Sequence, residues 1–174
     1  MFKFGRQRQV KPALVDLLER LLRHEYTLAV NYPRLARLIK DVATRESAIG
    51  LGKASLKHAD LLANALNGLG GSPSSSFEQI DDESDLVEVF TQQLAREREV
   101  QQIHLEGQRM ATDKKLKSEF LAMADEETEH IQTVEKILIY LKKETPERLS
   151  SPAPVLQEGD PAYLPAAPAL NRRR

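Results

Sequence analysis

The chain has 174 residues, with 41% apolar and 29% charged side chains and a formal net charge of −1. This composition is typical of one globular domain with a sizeable core, and the balanced charge gives no electrostatic basis for binding nucleic acid or an acidic membrane surface. The chain has no cysteine, which excludes disulfides, thiol catalysis and cysteine-ligated metal centres, and no stretch is long and apolar enough to span a membrane.

The N-terminal stretch MFKFGRQRQV is basic but has no apolar segment of the kind that directs export, so we expect a cytoplasmic protein. We interpret residues 1–9 as an arm that precedes the first helix. This helix is predicted to begin near Pro12 and to run to about Lys40. Its apolar positions recur in steps of three and four residues, as in a bundle helix. They are Leu14, Leu18, Leu21, Glu25, Leu28, Tyr32, Leu35 and Ile39. Pro33 is expected to kink this helix without ending it, because the stripe continues in phase.

The second helix is predicted from about Thr44 to Asn67, where the sequence GLGG ends it. Its predicted inward positions are Leu51, Ala54, His58, Leu61 and Ala65. The third helix follows the acidic run DDESD, which suits the positive end of a helix dipole. At helical spacing it carries Leu86, Phe90, Leu94, Glu97, Val100, His104 and Ala111.

The fourth helix is predicted to begin after Asp113, a plausible N-cap, and to end at Lys143. Its inward stripe is Leu116, Phe120, Met123, Glu127, His130, Val134, Ile137 and Leu141. Residues 144–174 are rich in proline and lack a helical period, which predicts an irregular tail. The expected organisation is therefore an arm (1–9), an all-α four-helix bundle (10–143) and a tail (144–174).

The connection from Leu69 to Ser84 determines the topology. The first and second helices, and the third and fourth, are joined by short turns and should form antiparallel pairs. The longer link, if extended, is long enough to travel the length of the bundle. This favours parallel second and third helices, an up-down-down-up bundle with one long crossover. A loop between antiparallel neighbours is the alternative.

Acidic and imidazole side chains interrupt the apolar stripes near the middle of each helix. Because the helices have similar lengths, their midpoints should coincide in one central layer. The residues concerned are Glu25, His58, Glu97, Glu127 and His130. Buried carboxylates repel one another, and the stripes of the first and fourth helices contain no lysine or arginine, so protons or a metal cation must compensate. A mixed oxygen and imidazole set favours iron or manganese, with zinc possible.

Four segments resemble the ferritin-like superfamily, most closely its bacterioferritin and rubrerythrin branch: HEYTLAVNY, KHAD, LAREREV and EETEH. The resemblance covers roughly residues 10–143. In that family a Glu on helix one, E-x-x-H on helix two, a Glu on helix three and E-x-x-H on helix four hold two irons. The resemblance implies Glu25, His58, Glu97, Glu127 and His130 as ligands. It also implies a homo-oligomer that oxidises Fe(II) with oxygen or peroxide.

Two positions depart from the family pattern. Ser55 stands three residues before His58, where the family has a bridging glutamate, so we expect fewer than two tightly bound irons and a poorly held ion near His58. Leu56 stands where bacterioferritin-like proteins offer a haem-ligating methionine, so haem is not expected. The function therefore stays open between an iron-handling redox protein and a metal-poor helical scaffold that has lost this chemistry.

Two further residues lie on the same stripes. Tyr32 is expected to pack in the core with its hydroxyl satisfied, and a hydrogen bond to a ligand is the alternative. His104 lies two turns after Glu97 and is expected to be half-exposed, with a supporting contact to a ligand as the alternative.

Overall fold

The computed structural model describes residues 12–80 and 85–144, which form four helices and no strand. The helices are α1 (Pro12–Ala36), α2 (Val42–Gly68), α3 (Leu86–Met110) and α4 (Lys114–Glu144). The predicted all-α four-helix architecture is confirmed. The N-terminal arm and almost all of the proline-rich tail lie outside the described residues, so their bounds stay predictions. No helix of the described part is both long and apolar enough to cross a membrane.

Aspartate side chains cap the start of three helices. Asp41 Oδ2 accepts a hydrogen bond from the backbone N–H of Thr44 at 2.7 Å, at the start of α2. Asp85 Oδ1 accepts from the first turn of α3, and Asp113 Oδ1 accepts from the N–H of Leu116 at 3.0 Å in α4. The predicted N-cap of the fourth helix is thus confirmed, and each aspartate satisfies backbone donors that the helix itself leaves unpaired.

The ends of α1 and α2 differ in how closely the sequence predicted them. Pro33 lies inside α1 without ending it, as predicted, but the helix stops at Ala36 and not near Lys40. The backbone hydrogen bonds there join residue i to residue i−3, as in a 3₁₀ turn, and the last one joins Ile39 N to Ala36 O at 3.1 Å. The apolar stripe therefore continues beyond the end of the helix. At the end of α2, Gly70 takes a positive φ of 83°, which only glycine adopts freely, and the predicted GLGG stop is confirmed.

Contacts along the helices establish their directions. Glu25 of α1 lies beside His58 of α2 and His104 of α3, whereas Tyr32, seven residues later in α1, lies beside Glu97, seven residues earlier in α3. Helix α3 is therefore antiparallel to α1. Helix α2 is antiparallel to α1 as well, because Gly52, which precedes His58 in α2, packs on Pro33, which follows Glu25 in α1. Helices α2 and α3 are consequently parallel, and the predicted up-down-down-up topology is confirmed.

The crossover between α2 and α3 is anchored to α1 along its path. Asn31 Nδ2 donates to the carbonyl of Glu78 at 2.7 Å, and Asn31 Oδ1 accepts from the N–H of Ile80 at 3.1 Å. The N–H of Glu78 also donates to Thr27 Oγ1 at 3.1 Å. These bonds explain why Thr27 and Asn31 are buried although they are polar. The described part of the link, residues 69–80, runs along the bundle as predicted, and the parallel directions of α2 and α3 exclude a loop between antiparallel neighbours.

The buried face of α2 differs from the predicted one. The stripes of α1 and α4 are buried as predicted, except that Leu116 is half-buried, and in α3 Leu86 and Leu94 are half-buried. In α2, Ala54, Leu61 and Ala65 are only half-buried. The residues that are buried there are Ala48, Leu51, Gly52, Ser55, His58, Ala59, Leu62 and Leu66. Small side chains make up much of this face because α1 approaches closely, and a search for large apolar residues does not detect such a face.

Candidate metal centre

The structure brings the five residues singled out in the sequence into one buried layer. Glu25, His58, Glu97 and Glu127 have no exposed surface, and His130 is 8% exposed. Together with those of His104, their nitrogen and oxygen atoms form two clusters, and the atoms within each lie within 4.8 Å of one another. The first cluster is Glu25, His58, His104 and Glu127, and the second is Glu97, Glu127 and His130. Glu127 of α4 belongs to both clusters.

His58 faces the first cluster with one ring nitrogen and a supporting carboxylate with the other. Its Nδ1 lies 3.2 Å from Glu25 Oε1 and 3.1 Å from Glu127 Oε1. Its Nε2 lies 3.1 Å from Glu126 Oε2, and Lys57 Nζ lies 3.0 Å from Glu126 Oε1. An Nε2–H that donates to Glu126 leaves Nδ1 directed at the two buried carboxylates, the arrangement in which histidine serves as a metal ligand.

Charge interactions within the layer change the pKa values of its members. Burial alone would lower the pKa of His58, but hydrogen bonds to Glu127 and Glu25 outweigh it and raise the pKa to about 10. Burial would likewise raise the pKa of Glu127, but hydrogen bonds with His130 and His58 lower it below the usual range. Without a metal, a proton on His58 therefore compensates part of the carboxylate charge, and a cation bound at Nδ1 would displace it.

The second cluster is supported by a tyrosine. His130 Nδ1 lies 3.1 Å from Glu127 Oε2 and 3.9 Å from Glu97 Oε2. The hydroxyl of Tyr32, which is completely buried, donates to Glu97 Oε1. Burial and the negative charge of Glu127 raise the pKa of Glu97 well above its ordinary value. The satisfied tyrosine hydroxyl predicted from the sequence is thus found, and its partner is one of the five candidate ligands.

Several buried polar atoms in the layer have no hydrogen-bond partner in the part of the chain that the structure describes. They include Glu25 Oε2, Glu97 Oε2 and His104 Nδ1. Buried carboxylate oxygens are nearly always paired, and an unpaired one costs free energy. Three carboxylates with imidazoles in a water-poor interior are a donor set that iron, manganese and zinc accept. The residues present therefore fit a metal centre.

His104 corrects the expectation from the sequence, which was half-exposure. The residue has no exposed surface, and its Nε2 lies 3.2 Å from Glu25 Oε1. Gly107, one turn later, makes room for Phe120: a Cβ at position 107 would lie 2.6 Å from that ring. Phe120 therefore packs against His104, with ring centroids 6.1 Å apart. The signal in the sequence was the seven-residue step from Glu97 to His104, which keeps both on one helix face.

Ser55 and Glu126 are the other residues whose positions bear on the site. Ser55 is completely buried, and its Oγ has no hydrogen-bond partner among the residues of 12–80 and 85–144. Helix α2 thus supplies His58 but no carboxylate to the central layer. Glu126, which supports His58, was not predicted. It lies next to Glu127 in the sequence and about 100° round the helix from the inward stripe, so periodicity alone assigns it to the surface.

A family profile, the Ferritin-like domain, matches residues 15–144. The chain belongs to this family. Among solved structures, it is similar to a bacterioferritin from Rhodobacter capsulatus, with 18% identity, a TM-score of 0.64, and coverage of 84% of this chain and 98% of that chain. It is also similar to a bacterioferritin from Desulfovibrio desulfuricans, with 16% identity, a TM-score of 0.69, and coverage of 83% and 89% respectively.

A ferritin-like di-iron carboxylate protein from Bacillus anthracis is similar at 20% identity and a TM-score of 0.62, with coverage of 73% of this ferritin-like chain and 96% of that chain. At such identities these likenesses establish the fold. A comparison with curated proteins finds no significant match. The Rhodobacter protein is described with a metal-free dinuclear site and haem iron, and the Desulfovibrio protein with a di-iron site.

Proposed function

We propose that this ferritin-like protein binds iron in its central layer and oxidises Fe(II) with dioxygen or hydrogen peroxide. The observation that carries the proposal is the pair of buried clusters, of carboxylates and imidazoles, that share Glu127. The descriptions of the similar bacterioferritin and di-iron carboxylate structures support the choice of iron. A cytoplasmic location and assembly into a homo-oligomer, which the resemblance implies, belong to the same proposal.

The residues have separate tasks in this proposal. Glu25 and His58 would hold one Fe(II), Glu97 and His130 would hold the other, and the Glu127 carboxylate would lie between them. Each Fe(II) gives up one electron, and dioxygen takes two electrons and two protons to leave as hydrogen peroxide. With hydrogen peroxide as oxidant, two electrons and two protons give two waters. Manganese and zinc suit the same donors and would compete for them. Haem is not part of the proposal, because Leu56 offers no thioether.

The test is an anaerobic titration of the metal-free protein with Fe(II), followed by exposure to dioxygen. We expect at least one tightly bound iron per chain and a change in iron absorption as Fe(III) forms. Glu127→Ala should abolish both, because Glu127 is common to the two clusters. Glu129→Ala is the matched control, since Glu129 is exposed on the same helix. Equal iron binding by the parent and Glu127→Ala would refute the proposed centre.

Ser55 supports a second candidate, a bundle that keeps the fold as a scaffold and has lost its metal chemistry. A buried serine leaves the layer one carboxylate short of the family pattern. Elemental analysis of protein from cells grown in iron-replete medium separates the two candidates. Iron present in a near-stoichiometric amount favours the redox protein. The scaffold is favoured if the purified protein contains no iron and also binds none in the anaerobic titration.

A further inference from the structure

We propose that His104 of α3 takes the place of the carboxylate that α2 lacks, so that the centre consists of two chemically unequal sites. The nitrogen-rich site contains Glu25, His58 and His104, the oxygen-rich site contains Glu97 and His130, and Glu127 is shared. The nitrogen-rich site would hold a divalent cation that prefers imidazole, such as Fe(II), Co(II) or Zn(II). This inference rests on the proposed function.

The first support is that His104 faces the same carboxylates as His58. His104 Nε2 lies 3.2 Å from Glu25 Oε1 and 3.9 Å from Glu127 Oε1. His58 Nδ1 lies 3.2 Å and 3.1 Å from the same two oxygens. Two ligands that each lie about 2.1 Å from one ion, as nitrogen and oxygen ligands of zinc do, are about 3.0–3.4 Å apart. Three of these four separations match those of ligands around a common cation, and the fourth, from His104 Nε2 to Glu127 Oε1, is about 0.5 Å longer.

The second support is that packing holds the ring of His104 with Nε2 toward the buried carboxylates. His104 has no exposed surface, and its Nδ1 has no hydrogen-bond partner in residues 12–80 and 85–144. Phe120 packs against the ring and Gly107 makes room for that packing, so Nε2 is held toward the carboxylates.

The third support is the charge of the layer. Three ionised carboxylates carry three negative charges, whereas two divalent cations carry four positive ones. A fourth glutamate on α2, the family pattern, would balance the charge and bridge the ions, but an imidazole is neutral and does not bridge. The two sites should therefore fill separately, the four-donor site before the three-donor site. The sequence-based expectation of a poorly held ion near His58 rested on the missing carboxylate of α2 and did not count His104 among the ligands.

The experiment uses the full-length protein, freed of metal and titrated anaerobically with Co(II). Visible absorption gives the affinity, and X-ray absorption at one equivalent counts the imidazoles around cobalt. We expect two imidazoles around cobalt in the parent and one in His104→Leu. The variant's affinity for the first equivalent of Co(II) should fall by more than about 100-fold, which exceeds the loss caused by removing a residue that only hydrogen-bonds a metal ligand. His24→Leu is the control, because His24 lies outside both clusters, and circular dichroism checks the fold of each variant.

The double variant Ser55→Glu/His104→Leu returns a carboxylate to α2 and should regain most of the lost affinity, which a packing defect at His104 would not. Parental affinity and two imidazoles in His104→Leu would overturn the inference and leave the proposed iron binding intact. A single imidazole in the parent at one equivalent would overturn it even if no variant folded. A parent that binds neither Co(II) nor Fe(II) would refute the proposed function itself.

Discussion

Tyr32 shows how a single residue links the core of α1 to the candidate metal centre. Its ring packs against Phe90 of α3, with centroids 6.2 Å apart, and its hydroxyl donates to Glu97 Oε1. The hydrogen bond leaves Glu97 Oε2 on the side of His130, 3.9 Å from its Nδ1. Burial raises the pKa of Tyr32 well above its ordinary value, so the hydroxyl stays protonated and remains a donor. The side chain thus orients a proposed ligand while it fills the core.

Tyr32→Phe should keep the fold and weaken the oxygen-rich site. The ring packing is retained, and loss of the hydrogen bond should cost about 0.5–1.5 kcal/mol of unfolding free energy. Because Glu97 loses its orienting donor, affinity for the second metal equivalent should fall by about 10–100-fold while the first is unchanged. Metal titration with thermal unfolding measures both. Tyr26→Phe, at a half-buried tyrosine of the same helix, is the control, and an equal effect there would contradict the assigned role.

The candidate residues were predictable wherever a long, regular stripe fixed their direction. Glu127 and His130 interrupt a run of large apolar residues in α4, so their inward orientation followed from the spacing alone. His104 was placed wrongly because its burial depends on Phe120 of another helix and on the space that Gly107 leaves. Periodicity places His104 on the same helix face as Glu97 but does not show how deeply the side chain is buried. Glu126 was missed because a supporting residue lies off the stripe and approaches His58 from the side.

Among the elements, α2 differs most from its predicted form, because it is packed by small residues. A Cβ at position 52 would lie 2.8 Å from Pro33 Cδ and 3.3 Å from the carbonyl oxygen of Ala29. The proline inside α1 and the glycine inside α2 are thus complementary, and the close approach brings Ser55 and His58 into the layer. The stripes of large apolar residues in α1 and α4 predicted directly which face of each helix is buried. The buried face of α2 could be identified only in the structure, where α1 packs against it.

Two glycines of α2 provide a matched test of this close packing. Gly50→Ala should stabilise the protein by about 0.5–1 kcal/mol, because alanine favours the helix and position 50 has open space around it. Gly52→Ala gains the same propensity but forces its Cβ against the proline ring, so it should be net destabilising by about 1–3 kcal/mol. Denaturant unfolding of the two variants compares them directly. Equal stabilisation by both would show that α1 and α2 do not approach this closely in solution.

At the scale of the whole molecule, the bundle places its least stable feature at its centre. Four helices, three of which are capped by aspartate at their starts, and an anchored crossover surround a layer in which carboxylates are buried together and several oxygens are unpaired. Such a layer costs folding free energy unless protons or cations fill it. A ligand that binds only the folded state returns that free energy by mass action. Metal binding and stability are therefore coupled through the same atoms.

Glu97→Gln separates the effect of protonation on stability from the effect of metal binding. Because burial and the Glu127 charge raise the pKa of Glu97 above its ordinary value of 4.5, folded metal-free protein binds a proton there that the unfolded chain releases. Stability from this group is therefore present below pH 4.5 and is lost as the pH rises toward the higher folded-state pKa. Glutamine resembles the neutral acid, so the metal-free variant should equal or exceed the parent's melting temperature at pH 7, and the difference should shrink near pH 4.5.

With metal present the order should reverse, because the variant cannot supply the carboxylate. Melting curves with chelator and with Co(II) at both pH values measure this, and a metal-free variant less stable than the parent at pH 7 would contradict it.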